Sequence, residues 1–323
     1  MTWQPWRRWP NLSQSRWLVI AVTLPLLQAC SAIKLGYQQL PTLSYWWLDS
    51  ALSFNDAQSD RAKEALANVY RWHRGQELAT YSDLLQRVGE LSQNNLQASQ
   101  VCSVWSDVQG LMDRSVRVAA AQAVPVVQML GPRQLSHLAR HLDKKNEDWD
   151  KEWLQGNASE RLERRVDKTL ERYRSFYGDL NPTQIALVKT QVSQSAWTPE
   201  WGRQERLRRE QDLLSVLRQS SQGRANATQT ETNLLAVWQR AWTPAQESDR
   251  AMAAQMAKQA CENLAQLHNT TNNAKFLNAV DAVRNSSGAI VCRSTLTDPT
   301  NGCVAANIFG TGVIAPESLA YFK

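Results

Sequence analysis

Leu180-Asn181-Pro182-Thr183-Gln184 is a helix start written in five residues. An Asn just before the first turn accepts a hydrogen bond from an amide that has no partner inside the helix. Proline at the first helical position gives up an amide that would be orphaned anyway. A Gln three residues after the cap reaches back to the cap's own amide, and the leading apolar residue acts as a staple. The phrase recurs as Phe54-Asn55-Asp56-Ala57-Gln58, Leu130-Gly131-Pro132-Arg133-Gln134 and Trp242-Thr243-Pro244-Ala245-Gln246. Four such starts imply at least four helices.

The residues between the starts have helical period. Leu135, Leu138, Leu142, Trp149 and Trp153 fall on one face, with charged residues opposite. Leu162, Val166, Leu170, Tyr173 and Phe176 continue at spacings of three and four, and Ile185, Val188 and Val192 repeat them. Leu207, Leu214 and Leu217, then Leu234, Leu235 and Trp238, then Met252, Met256, Ala260, Leu264 and Leu267 complete the series. No stretch before residue 270 alternates as a strand does. The expectation is an all-α protein, an amphipathic multi-helix bundle in which each helix buries one stripe. Pro125 is expected to interrupt the Val104–Val127 pattern. Gly156-Asn157-Ala158-Ser159 reads as a turn into a capped helix, and Trp197-Thr198-Pro199 as a restart. Ser220 to Thr232, rich in Ser, Thr, Gln and Asn, reads as a mobile loop.

Upstream of the bundle, an apolar run from Trp17 to Leu27 follows Arg7, Arg8 and Arg16, with no acidic residue. That is the layout of a secretory signal, and the run is too short for a membrane-spanning helix, which needs about 20 residues. Its end, Leu27-Gln28-Ala29-Cys30, resembles the lipobox of bacterial lipoproteins. The resemblance implies cleavage before Cys30, acylation of that cysteine, and firm anchoring through several acyl chains. Ser31, not Asp, follows, which in the sorting rule of that class implies the outer membrane. Residues 1–29 are thus expected to be a signal peptide and 30–271 a helical periplasmic domain. Hydrophobic residues make up 43% and charged residues 20%, a globular composition. The formal charge is +6, and half of that excess leaves with the signal, so no nucleic-acid partner is indicated. Cys102, Cys261, Cys292 and Cys303 remain after lipidation and could form two disulfides in an oxidising compartment. None lies in a Cys-x-x-Cys pair.

Tyr45-Trp46-Trp47-Leu48-Asp49, Phe54 to Gln58, Trp72-His73-Arg74, Glu77 to Tyr81, Leu130 to Trp153 and Glu171 to Gln184 occur in that order. The order resembles a family of proteobacterial helical lipoproteins of unknown function, over about residues 15–271. The resemblance implies an outer-membrane lipoprotein and carries over no catalytic residues. Leu130–Gln134 and Leu180–Gln184 are also similar to the Leu-Thr-x-x-Gln phrase of small periplasmic helical stress chaperones, with Gly131 and Asn181 in place of Thr. The aromatic cluster Tyr45 to Leu48 reads as the core edge of the first helix, with a lipid interface as the alternative.

Composition shifts near residue 272, and the tail is expected to be irregular or weakly β. None of the 14 tryptophans lies beyond Trp242, and Gly becomes frequent. Ile290-Val291-Cys292-Arg293-Ser294 and Asp298-Pro299-Thr300-Asn301-Gly302-Cys303 look like an internal piece of a TonB-dependent outer-membrane receptor. That likeness implies a foreign end joined near residue 271 by gene fusion or assembly artefact, with a natural family tail as the alternative. Cys292 and Cys303 could bridge the loop between them.

Motifs of chemistry are sparse. His137 and His141 share a helix face, as metal ligands can, but a third ligand and the Glu of helical zinc hydrolases are missing, so they read as solvated. Arg203, Arg206, Arg208 and Arg209, interleaved with Glu205 and Glu210, read as a solvated face laced with ion pairs. There is no Gly-x-Ser-x-Gly, phosphate-cradling loop or dinucleotide fingerprint. The sequence therefore leads to a lipid-anchored, non-enzymatic helical protein that binds a periplasmic protein or peptidoglycan, with no metal or cofactor. An envelope hydrolase with an unrecognised site and a chaperone-like helical protein are the alternatives.

Overall fold

The computed structural model describes residues 36–291, and within them every regular element is a helix. In chain order these are α1 (Leu40–Leu52), α2 (Asp56–Trp72), a π-helical turn (His73–Glu77), α3 (Leu78–Leu91) and α4 (Ala98–Gln128). Then come α5 (Pro132–Trp153), α6 (Ala158–Tyr177), α7 (Pro182–Ser193) and α8 (Pro199–Ser221). The series ends with α9 (Ala227–Trp242), α10 (Glu247–His268) and α11 (Ala274–Val291). The all-α bundle read from the periodicity is what forms. Cys30, Leu27, Ala29, Cys292 and Cys303 lie outside the described residues.

Three of the four phrases start helices as read. Asn55 Oδ1 accepts from the Gln58 amide at 3.0 Å, and Gln58 Oε1 accepts from the Asn55 amide at 3.0 Å. Asn181 and Gln184 repeat the exchange at 2.9 and 2.8 Å. Gly131 has no side chain to contribute, so only the Gln134 half of the box exists, at 2.9 Å. The fourth phrase does not start a helix at Thr243. Thr243 closes α9, its amide bonding to the Gln239 carbonyl, and α10 begins at Glu247. The Arg250 guanidinium holds the Pro244 and Ala245 carbonyls, which fixes residues 243–246 as a connection.

Two other expectations change. Pro125 lies in the last turn of α4 and does not end it. One missing amide near a helix end is tolerated when flanking Val124, Val126 and Val127 are buried. The polar stretch Ser220–Thr232 is mostly helix, broken only around Gly223, whose φ of +70° suits glycine. Asn226 and Gln229 form a capping box there, the same grammar hidden in polar composition.

Helix α4 is the axis. At 31 residues it is about 46 Å long, and α2, α3, α8, α9 and α10 all pack on it. One apolar core gathers Tyr81, Leu84, Leu111, Leu170, Val188, Leu264 and Leu267. A second, nearer the end of α4, gathers Val127, Leu130, Leu135, Leu138, Leu214 and Leu217. Cys102 on α4 is disulfide-bonded to Cys261 on α10 across a separation of 159 residues, with Cα atoms 5.5 Å apart. The pairing left open by the sequence is therefore settled for these two.

The tail departs from expectation. Residues 274–291 are helical rather than irregular or weakly β, and α11 packs on α3 and α6. Phe276 and Val280 are buried in the first core, Phe276 stacked on Tyr177 at 5.3 Å. Ala, Phe, Leu and Val at helical spacing outweighed the shift in overall composition, which coincides with no break in packing.

The glutamines of the helix starts do more than cap. The corner between α1 and α2 faces the corner between α4 and α5, and each corner's Gln bonds to the other. Gln58 Nε2 donates to the Met129 carbonyl at 2.6 Å and to Gln134 Oε1 at 2.9 Å. Gln134 Nε2 donates to Gln58 Oε1 at 2.7 Å and to the Leu52 and Ser53 carbonyls. Gln184 likewise donates to the Thr270 carbonyl beyond α10. Because a buried polar group stripped of its partner costs about 1–3 kcal/mol, Gln58→Leu should lower stability by about 3 kcal/mol. The exposed control Gln86→Leu should change it little. Urea unfolding curves check this, and equal midpoints for the two variants would refute the joint.

Candidate functional site

The Trp197 and Trp242 regions, far apart in sequence, meet at one cavity. It has a volume of about 380 Å³ and is lined from α4, α6, α7, α8, α9 and α10 together with the α7–α8 and α9–α10 connections. Trp105, Trp197, Trp201 and Trp242 supply rings; Ala253, Ala254, Met256, Ala257 and Ala260 of α10 supply a smooth apolar side. Thr198 caps α8 by accepting from the Trp201 amide, which places Trp197 just outside the helix and Trp201 one turn in.

The rings are held by one another. Trp105 and Trp242 meet edge to face with centroids 5.5 Å apart, and Trp238 backs Trp242 at 5.4 Å. Trp197, 2% exposed, packs edge-on against Trp153 at 5.7 Å, and the Arg165 guanidinium lies 5.3 Å from its ring centroid. Such contacts contribute about 0.5–1.5 kcal/mol each beyond burial. Gly202 makes room for this stack: a Cβ there would lie 3.0 Å from the Trp197 ring and 3.2 Å from Trp149.

Charge at the cavity is spoken for. Glu205, 4% exposed, is its sole lining carboxylate and accepts from Arg208 and Arg209 at 2.6–2.7 Å. Those two arginines also donate to the Arg240 and Ala241 carbonyls, satisfying the last turn of α9 and opposing its dipole. The bond to Glu205 holds the Arg208 pKa above its ordinary value despite burial. Neither histidine nor cysteine lines the cavity. With its one carboxylate held in two ion pairs, the wall is mainly shape and aromatic faces.

The arginine run is thus not the solvated face expected of it, although its ion pairs form. Arg206 and Glu210 pair at 3.2 Å with both side chains largely buried, and Arg203 pairs with Asp150 of α5. Asn146, 2% exposed, bonds both partners of the first pair. These charges cross-link α8 to α5. His137 is not a free surface ring either: Nδ1 lies 3.0 Å from the Ala51 carbonyl and ties α5 to the end of α1. Partial burial, then the Lys145, His137 and Lys144 charges, lower the His141 pKa. Among the described residues no group of three or more His, Cys, Asp or Glu could hold a metal ion, and no helix is long and apolar enough to cross a membrane.

Sequence reasoning missed the cavity, though a signal was present. The tetrapeptide Ala-Trp-Thr-Pro occurs twice, at Ala196–Pro199 and Ala241–Pro244, and both copies bring their tryptophan to this wall. It also missed two buried Tyr–His pairs. Tyr37 Oη lies 2.9 Å from His73 Nδ1, and Tyr177 Oη lies 3.1 Å from His268 Nδ1. Burial raises both tyrosine pKa values and lowers both histidine values. At His73 the Glu77 charge opposes the shift; at His268 the Asn94 and Ser92 backbone does.

A family model described as a family of unknown function (DUF6279) matches residues 50–246. No curated protein and no solved structure matches the chain. The match covers the Gln joints and most of the cavity wall and stops short of the tail, for which no receptor relationship is found.

A histidine buried neutral binds fewer protons folded than unfolded between its lowered pKa and the ordinary 6.5, so stability falls as pH drops below about 6.5. Each such histidine contributes up to about 1.4 kcal/mol per pH unit in that window. Urea unfolding at pH 7.5 and 5.5 should show this loss, and His268→Gln should make it shallower. An unchanged slope in the variant would remove His268 from the account.

Proposed function

The chain belongs to this family of unknown function, and from its own residues we propose a lipid-anchored, non-enzymatic periplasmic protein that binds an apolar segment of a partner protein in the tryptophan cavity. Anchoring rests on Leu27-Gln28-Ala29-Cys30 and the basic and apolar run before it. It implies acyl chains on Cys30 and the periplasmic face of the outer membrane.

The cavity is the observation that carries binding. Its volume falls at the small end of ligand sites, roughly 300–1,000 Å³. Four indoles and an alanine-rich helix face suit aromatic or aliphatic side chains, and the local neutralisation of Glu205 leaves no unpaired carboxylate for a cation. Tryptophan-rich pockets are where binding energy concentrates at protein interfaces. The disulfide at Cys102–Cys261 supports the same wall, since Trp105 follows one on α4 and Ala257 and Ala260 precede the other on α10.

The environment-sensitive probe N-phenyl-1-naphthylamine should brighten on adding the protein. Ala257→Trp, which fills the cavity from α10, should abolish that gain while the helical circular dichroism persists. Equal enhancement by a folded Ala257→Trp protein would place the probe elsewhere and sink the site. Replacing Cys30 with Ala should abolish incorporation of labelled palmitate; continued labelling would refute the anchor.

A further inference from the structure

Helix α1 has a face that the bundle does not cover. Its other side packs on α2 and α5, burying Ala51 and half-burying Tyr45, Leu48 and Leu52. Outward, Leu43, Trp46 and Trp47 are 49%, 62% and 65% exposed. Met129 is the only other large hydrophobic residue so exposed among the described residues. With Gln39 and Ser50, these three follow the helical spacing of one stripe. The core-edge reading of this cluster is therefore overturned for Trp46 and Trp47, while Tyr45 and Leu48 do face inward.

What covers the stripe follows from where the chain comes from. Six peptide links separate Cys30 from Gly36, where the described helical structure begins, a reach of about 20 Å at full extension. A cysteine acylated in the outer membrane therefore holds α1 beside the lipid surface. The helix itself, 13 residues, is about 20 Å long, too short to span and long enough to lie flat. It carries one charged residue, Asp49, whose carboxylate is turned back to accept from the Phe54 amide at 2.8 Å. The outward stripe thus presents two indoles and a leucine and no charge, the chemistry favoured at the boundary of headgroups and acyl chains.

We propose that α1 is a second membrane contact, lying along the inner leaflet of the outer membrane with Leu43, Trp46 and Trp47 in the lipid interface. This rests on the anchor reading for its nearness to lipid, and not on the cavity. An acyl anchor at a single residue does not by itself set how the bundle faces the membrane. A flat amphipathic helix beside it sets an orientation, with the α1–α2 side of the bundle toward the membrane.

The test uses the full mature protein, purified from envelopes, in vesicles of phosphatidylethanolamine and phosphatidylglycerol with brominated acyl chains. The other described tryptophans are buried or half-buried, so bromine quenching should report mainly Trp46 and Trp47. Quenching is expected for the wild type and should be lost in Trp46→Phe/Trp47→Phe, whose melting temperature should stay within a few degrees because both rings are exposed. Equal quenching in the two proteins overturns the proposal. So does absence of quenching in vesicle-bound protein, whether or not crosslinking then finds a second copy or another protein on the stripe. Palmitate labelling of the same preparation reads the anchor separately. If the label is absent, quenching is read on the chain added to preformed vesicles, so the two readings fail independently.

Discussion

The reciprocal amide pair of Gln58 and Gln134 is the joint on which the bundle's geometry depends. Each side chain closes its own helix start and also donates to the last carbonyls of the helix that ends at the opposite corner. Four helix ends that would otherwise bury orphaned amides and carbonyls are satisfied by two side chains. Gln58 is 1% exposed, so neither water nor a charged substitute can take its place cheaply. With both corners clasped, α1 and α5 are held against α2 and the end of α4, and the second apolar core closes beneath them.

The other end of the molecule is tied differently. There the disulfide joins α4 to α10, and in the chain-entropy account a closed loop of this length is worth up to about 5 kcal/mol. Arginines of α8 satisfy the end of α9 while pairing with Glu205, so the walls of the cavity are cross-linked by charge as well as packed. The cavity's rings are braced from behind by Trp153, Trp238 and Arg165, contacts that oppose its collapse. Interior packing would otherwise fill such a space.

The two proposed functions of the chain sit on different parts of this frame. The exposed stripe belongs to α1, held at the glutamine corners, whereas the cavity lies among the walls tied by the disulfide and the α8 arginines. Helix α4 runs past both, its early residue Trp105 at the cavity and its last turn beside the corner that receives Gln58. A partner bound in the cavity would be held at a set distance from the lipid surface by that single long helix.

By itself the sequence determined the class of fold and the starts of α2, α5, α6, α7 and α8, because capping and 3.6-residue periodicity are local chemistry. Asn55, Asn181 and Thr198 do what their types and neighbours require. The resemblance of Leu27-Gln28-Ala29-Cys30 to a lipobox is likewise read along the chain and not from a fold. What the tertiary structure decided is whatever depends on residues distant in sequence: the pairing of Cys102 with Cys261, the burial of Glu205, the meeting of two Ala-Trp-Thr-Pro segments, and the helical packing of residues 274–291. Periodicity says that a face is apolar but not which face of which helix will meet it. So Trp46 and Trp197 look alike in sequence, and only packing leaves one exposed and the other enclosed.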